Sequence, residues 1–134
     1  IKSLSLAHNA IHDLHYKALA GLLELEVLDL SSNRLGKLSE VSFPPFLQLK
    51  TVDFRHNPLR YIYPATFWVM NGTEKMYFGS EQTALELWGN MPFSELRQLK
   101  ELYIGNVSIG SLEANIFKVS FQCHQNMMII TTSF

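Results

Sequence analysis

One cysteine, Cys123, is present in 134 residues. A lone thiol cannot close an internal disulfide, so no cystine framework substitutes for a hydrophobic core. No stretch approaches the ~20 consecutive apolar residues that a membrane-spanning helix requires. Charge of either sign is scarce in excess: 17% of residues are charged and the net charge is −1. That balance gives no reason to expect nucleic acid or anionic lipid as partner. The motifs of common chemistry are also missing. There is no G-x-S-x-G, no H-E-x-x-H and no phosphate-binding glycine loop. No cofactor, no metal and no catalytic residue is expected. His12-x-x-His15, with Asp13 between, has ligand-like spacing but no third donor nearby in sequence. His8 and His56 share a repeat position but lie two repeats apart, about 10 Å, too far to share one ion.

What the chain has is periodicity. Ile1, Leu25, Leu49, Thr73 and Leu99 open five units, spaced by 24, 24, 24 and 26 residues. From each start the pattern L-x-x-L-x-L-x-x-N-x-L-x-x-L can be read. Residues 25–38, LEVLDLSSNRLGKL, match throughout; residues 1–14 and 49–62 match with apolar substitutes. Position 19 holds Leu19, Phe43, Phe67, Phe93 and Phe117, and position 22 holds Leu22, Phe46, Met70 and Leu96, then fails at Ser120. Apolar positions 4 and 6 alternating with outward positions 3, 5 and 7 predict a strand. One such strand cannot bury its inner face alone, so stacked units must share a core. Asn9, Asn33 and Asn57 follow the strands, where an amide can satisfy buried backbone groups of the turn. The fourth unit puts Thr83 at that position if two extra residues sit within 79–82, with Leu85 and Trp88 then at positions 11 and 14. The fifth unit puts Val107 there.

This pattern resembles the leucine-rich repeat family. The 24-residue unit with Phe at position 19 is similar to the extracellular animal type of Toll-like receptors, Slit proteins and chaoptin-like adhesion proteins. The plant G-x-I-P segment is absent. The resemblance covers residues 1–118. It implies an α/β solenoid of five repeats with a parallel concave sheet, a convex side of irregular loop and short helical turns, and uncapped ends. The expected division is an array over 1–120, with 121–134 an aberrant tail or partial sixth repeat in which Met127 and Ile129 take positions 4 and 6. Lys118-Val119-Ser120 is also how a read-through splice donor translates. The chain opens on a repeat strand without a signal peptide or polar cap, as a piece of a longer protein would.

The resemblance implies a non-catalytic module that binds a protein ligand or receptor partner through its concave face. Position 5 reads Ser5, Asp29, Asp53, Tyr77, Tyr103; Arg55 stands at position 7 and His56 at position 8. Tyr and Arg are favoured interface anchors, so the expected contact residues are Asp29, Asp53, Arg55, His56, Tyr77 and Tyr103. Gly79 and Gly105 are expected to leave a notch between the tyrosines. Position 2 alternates Lys2, Glu26, Lys50, Glu74, Lys100, a column able to pair with itself. Asn71-Gly72-Thr73 and Asn106-Val107-Ser108 are N-glycosylation tripeptides, which fits an extracellular or cell-surface parent protein. An intracellular scaffold or signalling regulator on the same repeat is the alternative, and an enzyme subunit recruiting substrate a third. This segment itself is expected to make no direct membrane contact.

Overall fold

The computed structural model describes residues 1–86, 92–105, 107–108 and 128–131. Its main feature is a parallel sheet formed by one short strand from each repeat. The strands are β1 (Ser3–Ser5), β2 (Val27–Asp29), β4 (Thr51–Asp53), β6 (Lys75–Phe78), β8 (Glu101–Ile104) and β10 (Met128–Thr131), adjacent in that order. Ser3 pairs with Val27, Val27 with Thr51, Thr51 with Lys75, and Lys75 with Glu101. These offsets of 24, 24, 24 and 26 are the spacing of the repeat starts. On the return side, β3 (Lys37–Leu38) pairs with β5 (Tyr61–Ile62), and β7 (Leu85–Glu86) with β9 (Val107–Ser108). Three 3-10 helices, Tyr16–Leu19, Trp68–Met70 and Pro92–Glu95, complete the described convex side.

Two registers differ from the sequence reading. Ile129 pairs with Leu102 and Thr131 with Ile104, so these residues hold positions 4 and 6 of the last strand. Met127 and Ile129 had the same apolar alternation two residues earlier. A run of four apolar residues, 127–130, carries no phase of its own. Val107, at position 9 by spacing, pairs instead with Leu85 at position 11. The side chains of Trp88, Phe117, Ser120 and Cys123 lie outside the described residues, as does Asn106.

The core follows the pattern closely. Leu28, Leu30, Val52, Phe54, Met76, Phe78, Leu102 and Ile104, at positions 4 and 6, are all buried. Phe43, Phe67 and Phe93 from position 19 meet Phe54 and Phe78 from position 6. Ring centroids are 6.0 Å apart for Phe43–Phe54, 5.1 Å for Phe54–Phe78, 5.7 Å for Phe78–Phe93 and 5.9 Å for Phe67–Phe93. Stacked and edge-on pairs at these separations add to the stabilisation from burial. An aromatic column therefore crosses the repeat boundaries. In the first repeat Leu4, Leu6, Ile11 and Leu22 pack on this core but are only half-buried.

Each strand ends in a turn that L-residues resist. His8, Ser32 and His56, all at position 8, have φ of 58°, 55° and 62°, a left-handed conformation uncommon for residues with a Cβ. Neighbouring repeats hold it in place: the amides of His8, Ser32 and His56 donate to Ser31, Arg55 and Gly79 carbonyls at 3.2, 2.9 and 2.6 Å. The next residue is the asparagine. Asn57 is 2% exposed. Its Nδ2 donates to the carbonyls of Leu30 (2.9 Å) and Phe54 (3.0 Å), while its Oδ1 accepts from the amide of Leu35 at 3.0 Å. Asn33 repeats this arrangement with Leu6, Leu30 and Ile11. Each amide thus ties its own turn to the preceding repeat.

In the fourth unit the turn is rebuilt. The Glu86 amide donates to the Arg60 carbonyl at 2.8 Å, as Arg60 does to Gly36, so the two extra residues lie before Leu85. Gly79 takes the positive φ, +147°. Beside Asn57, Leu85 and Thr83 lies a cavity of about 10 Å³, room for one water at most.

Burial and hydrogen bonding set the cost of truncation at each position. Phe43→Ala should cost about 3–5 kcal/mol in denaturant melts, as large aromatic truncations do. Leu47→Ala, at a side chain 70% exposed, should change stability by less than about 0.5 kcal/mol. Asn57→Ala strands the Leu35 amide and two buried carbonyls, so it should cost at least about 2 kcal/mol. Asn9→Ala, whose side chain is exposed and bonds only the carbonyls of Leu6 and Ala7, should cost under about 1 kcal/mol.

Candidate binding face on the concave sheet

Strand pairing brings the position-5 side chains into one row. Ser5 lies opposite Asp29, Asp29 opposite Asp53, Asp53 opposite Tyr77, and Tyr77 opposite Tyr103. Arg55, at position 7, reaches back to the middle of that row. Its Nε donates to Asp53 Oδ1 at 3.0 Å and its Nη2 to Asp53 Oδ2 at 2.7 Å. Its guanidinium carbon lies 5.2 Å from the centre of the Tyr77 ring. A planar cation gripped on one side by a carboxylate and on the other by an aromatic face is held in one orientation. Asp53-x-Arg55 puts both side chains on one face of the strand, the spacing from which this pairing follows. The Tyr77 hydroxyl donates to Glu101 Oε2 at 3.3 Å, and Lys75 Nζ is 3.5 Å from the same oxygen.

The glycines beside the tyrosines do not leave an open notch. A Cβ on Gly79 would stand 3.1 Å from both Cα and N of Gly105; one on Gly105 would stand 3.3 Å from Cε1 of Tyr103. The two backbones therefore approach too closely for side chains, and the Tyr103 ring lies over Gly105. His56 lies past the end of its strand. It helps line a shallow groove at the strand ends with Asn33, Arg34, Pro58, Ser80 and Gln82. In the position-2 column, among the described residues, only Lys100 and Glu74 form an ion pair, at 2.7 Å. Lys2, Glu26 and Lys50 are joined through the backbone, the Glu26 amide donating to the Lys2 carbonyl at 2.7 Å and the Lys50 amide to the Glu26 carbonyl at 2.8 Å.

His15 has a local structural role. Its Nδ1 accepts from the Lys17 amide at 3.3 Å, capping the first 3-10 helix, and its ring packs on Tyr16 at 4.3 Å. Among the described residues no group of three His, Cys, Asp or Glu side chains converges on a metal position, and no helix is long and apolar enough to cross a membrane.

Electrostatics tune two members of the row. Burial alone raises the Asp29 carboxyl. Hydrogen bonds from Ser31 and the charges of Arg55 and His8 outweigh it and hold the carboxyl below its ordinary value of 3.8. Burial, reinforced by the Glu101 charge, pushes the Tyr77 phenol upward, so it stays protonated as a donor. A carboxyl depressed by folding stabilises the fold above its unfolded value, and that contribution disappears as pH falls through the folded one. Asp29→Asn should therefore be less stable than the parent near pH ~7, and the gap should close toward about pH 3 in denaturant melts.

Comparison with known proteins agrees with this architecture. Residues 1–59 match a family model described as Leucine rich repeat. Toll-like receptor 2 type-1 and Toll-like receptor 2 type-2 of Gallus gallus are each 28% identical over 118 residues, 88% of this chain. The chain spans about 15% of the length of these curated relatives. Repeats of this kind are generally non-enzymatic modules that bind proteins. The register of 24 residues and the amide-closed turns are thus those of a leucine-rich repeat solenoid, and the chain resembles Toll-like receptors.

Proposed function

We propose that this chain is part of an extracellular or cell-surface receptor or adhesion protein, and that it binds a protein partner through its concave sheet. The observation that carries the reading is the fixed Arg55, held between Asp53 and Tyr77 in the row that ends at Tyr103. Arg55 and Tyr77 side chains that already contact each other and their neighbours lose less conformational freedom on binding than free ones. Tyr77 and Tyr103 form the anchor, Arg55 the charged centre, and Asp29 and Asp53 the polar rim. His56, in the neighbouring groove, meets the partner only if contact extends past the strand ends. The receptor relatives support the reading at modest identity. Exposed Asn71, in an acceptor tripeptide, supports passage through the secretory pathway.

Two measurements test this. Antibody against a tag on the parent protein should stain intact, unpermeabilised cells; staining only after permeabilisation would place the protein inside. With a partner captured by cell-surface crosslinking, Tyr77→Ala plus Tyr103→Ala should weaken binding by more than about 2 kcal/mol. Lys2→Ala and Glu26→Ala should change it by less than about 0.5 kcal/mol. A scan in which convex-side residues dominate and both tyrosines are silent rejects the concave face.

A further inference from the structure

Trp68 is the most exposed aromatic side chain among the described residues, at 66%. It opens the 3-10 helix Trp68–Met70, and Asn71 ends that helix with φ −67° and ψ −9°. In a 3-10 turn, side chains three residues apart eclipse one another, separated by roughly 6 Å along the axis. Trp68 and Asn71 are three apart, so ring and carboxamide leave the surface along the same edge. The Asn71 side chain is exposed. Thr73, which completes the tripeptide, is wholly buried, and its Oγ1 donates to the Met70 carbonyl at 2.8 Å. An N-linked N-acetylglucosamine presents one face of C–H bonds, which packs well on the apolar face of an indole ring that is two-thirds exposed.

We propose that Asn71 carries an N-glycan whose first sugar lies on the Trp68 ring, and that the glycan is attached before the fourth repeat closes. In the transfer, Asn71 Nδ2 loses one proton and bonds C1 of the first N-acetylglucosamine. The C1–O bond to the lipid diphosphate carrier breaks, and the diphosphate leaves with the bonding pair. Because the enzyme reads the threonine hydroxyl, and folding buries that hydroxyl against Met70, the window closes when the turn forms. The exposed tryptophan is then the surface that the sugar covers.

The inference rests on the secretory reading above, so the test supplies that route itself. The chain is expressed behind an added secretory leader, with Asn106→Gln so that one acceptor remains. Mass analysis should show a glycan that Asn71→Gln abolishes; an unmodified secreted chain overturns the proposal whatever the native location. Trimmed to one N-acetylglucosamine, the protein should melt about 3 °C above Asn71→Gln. In the Trp68→Ala background the gap should vanish. A gap of equal size without the ring overturns the contact. Independently, the single sugar should slow chemical oxidation of Trp68 at least about twofold, read by peptide mass; an unchanged rate also overturns it. Unglycosylated folded chain offered to oligosaccharyltransferase with lipid-linked donor should stay unmodified, while a peptide spanning 65–78 is modified. Modification of the folded chain overturns the order of events.

Discussion

The turns after β2 and β4 each depend on one buried carboxamide. Backbone at position 8 is bent into the left-handed region, which leaves carbonyls pointing inward with no strand to receive them. Asn33 and Asn57 meet those carbonyls with Nδ2 and take an amide of the preceding repeat with Oδ1. A shorter or purely accepting side chain cannot do both. Everything outward of the turn follows: the strand register, the row of side chains on the sheet, and the position of the phenylalanines beneath it. In the fourth unit, where Thr83 replaces the amide, the chain spends two additional residues, shifts its positive φ to Gly79, and leaves a cavity of about 10 Å³.

The sheet surface also changes at the fourth unit. The first three repeats carry small or charged side chains at position 5, and the next two carry tyrosine. Gly79 and Gly105 draw their backbones together, and the Tyr103 ring folds over the close approach. Arg55 stands at the boundary between the two halves, bonded to the last carboxylate and covering the first aromatic ring. The irregular repeat and the aromatic end of the face thus begin in the same unit, at Tyr77 and Gly79.

Most of the fold was legible because two independent signals agreed. Strand alternation and the asparagine phase gave the same unit starts, and Leu85 and Phe93 located the two extra residues by falling back into step. The last strand was misplaced by two because residues 127–130 are all apolar and no asparagine follows to set the phase. Paired strands on the convex side were missed for another reason: two-residue bridges such as Lys37–Leu38 with Tyr61–Ile62 are too short for alternation to register. The row proposed for partner contact was legible as a column of residue types. The Asp53–Arg55 grip was available from its i, i+2 spacing. The Tyr103 ring lying on glycine was not, because a side-chain torsion leaves no mark on the pattern.

Every hydrogen bond of the main sheet joins one repeat to the next, so the ladder runs along the solenoid and not around it. Pulled by its two ends, such a chain loads these bonds in tension, one interface at a time, rather than shearing many together. The strand leaving first takes with it a full unit, lengthening the chain by roughly 80 Å for 24 residues. The aromatic column resists this at each boundary in turn, since Phe54 and Phe78 belong to neighbouring units. The fold is therefore a series of latches, and its resistance to force is set by its weakest interface rather than by its total length.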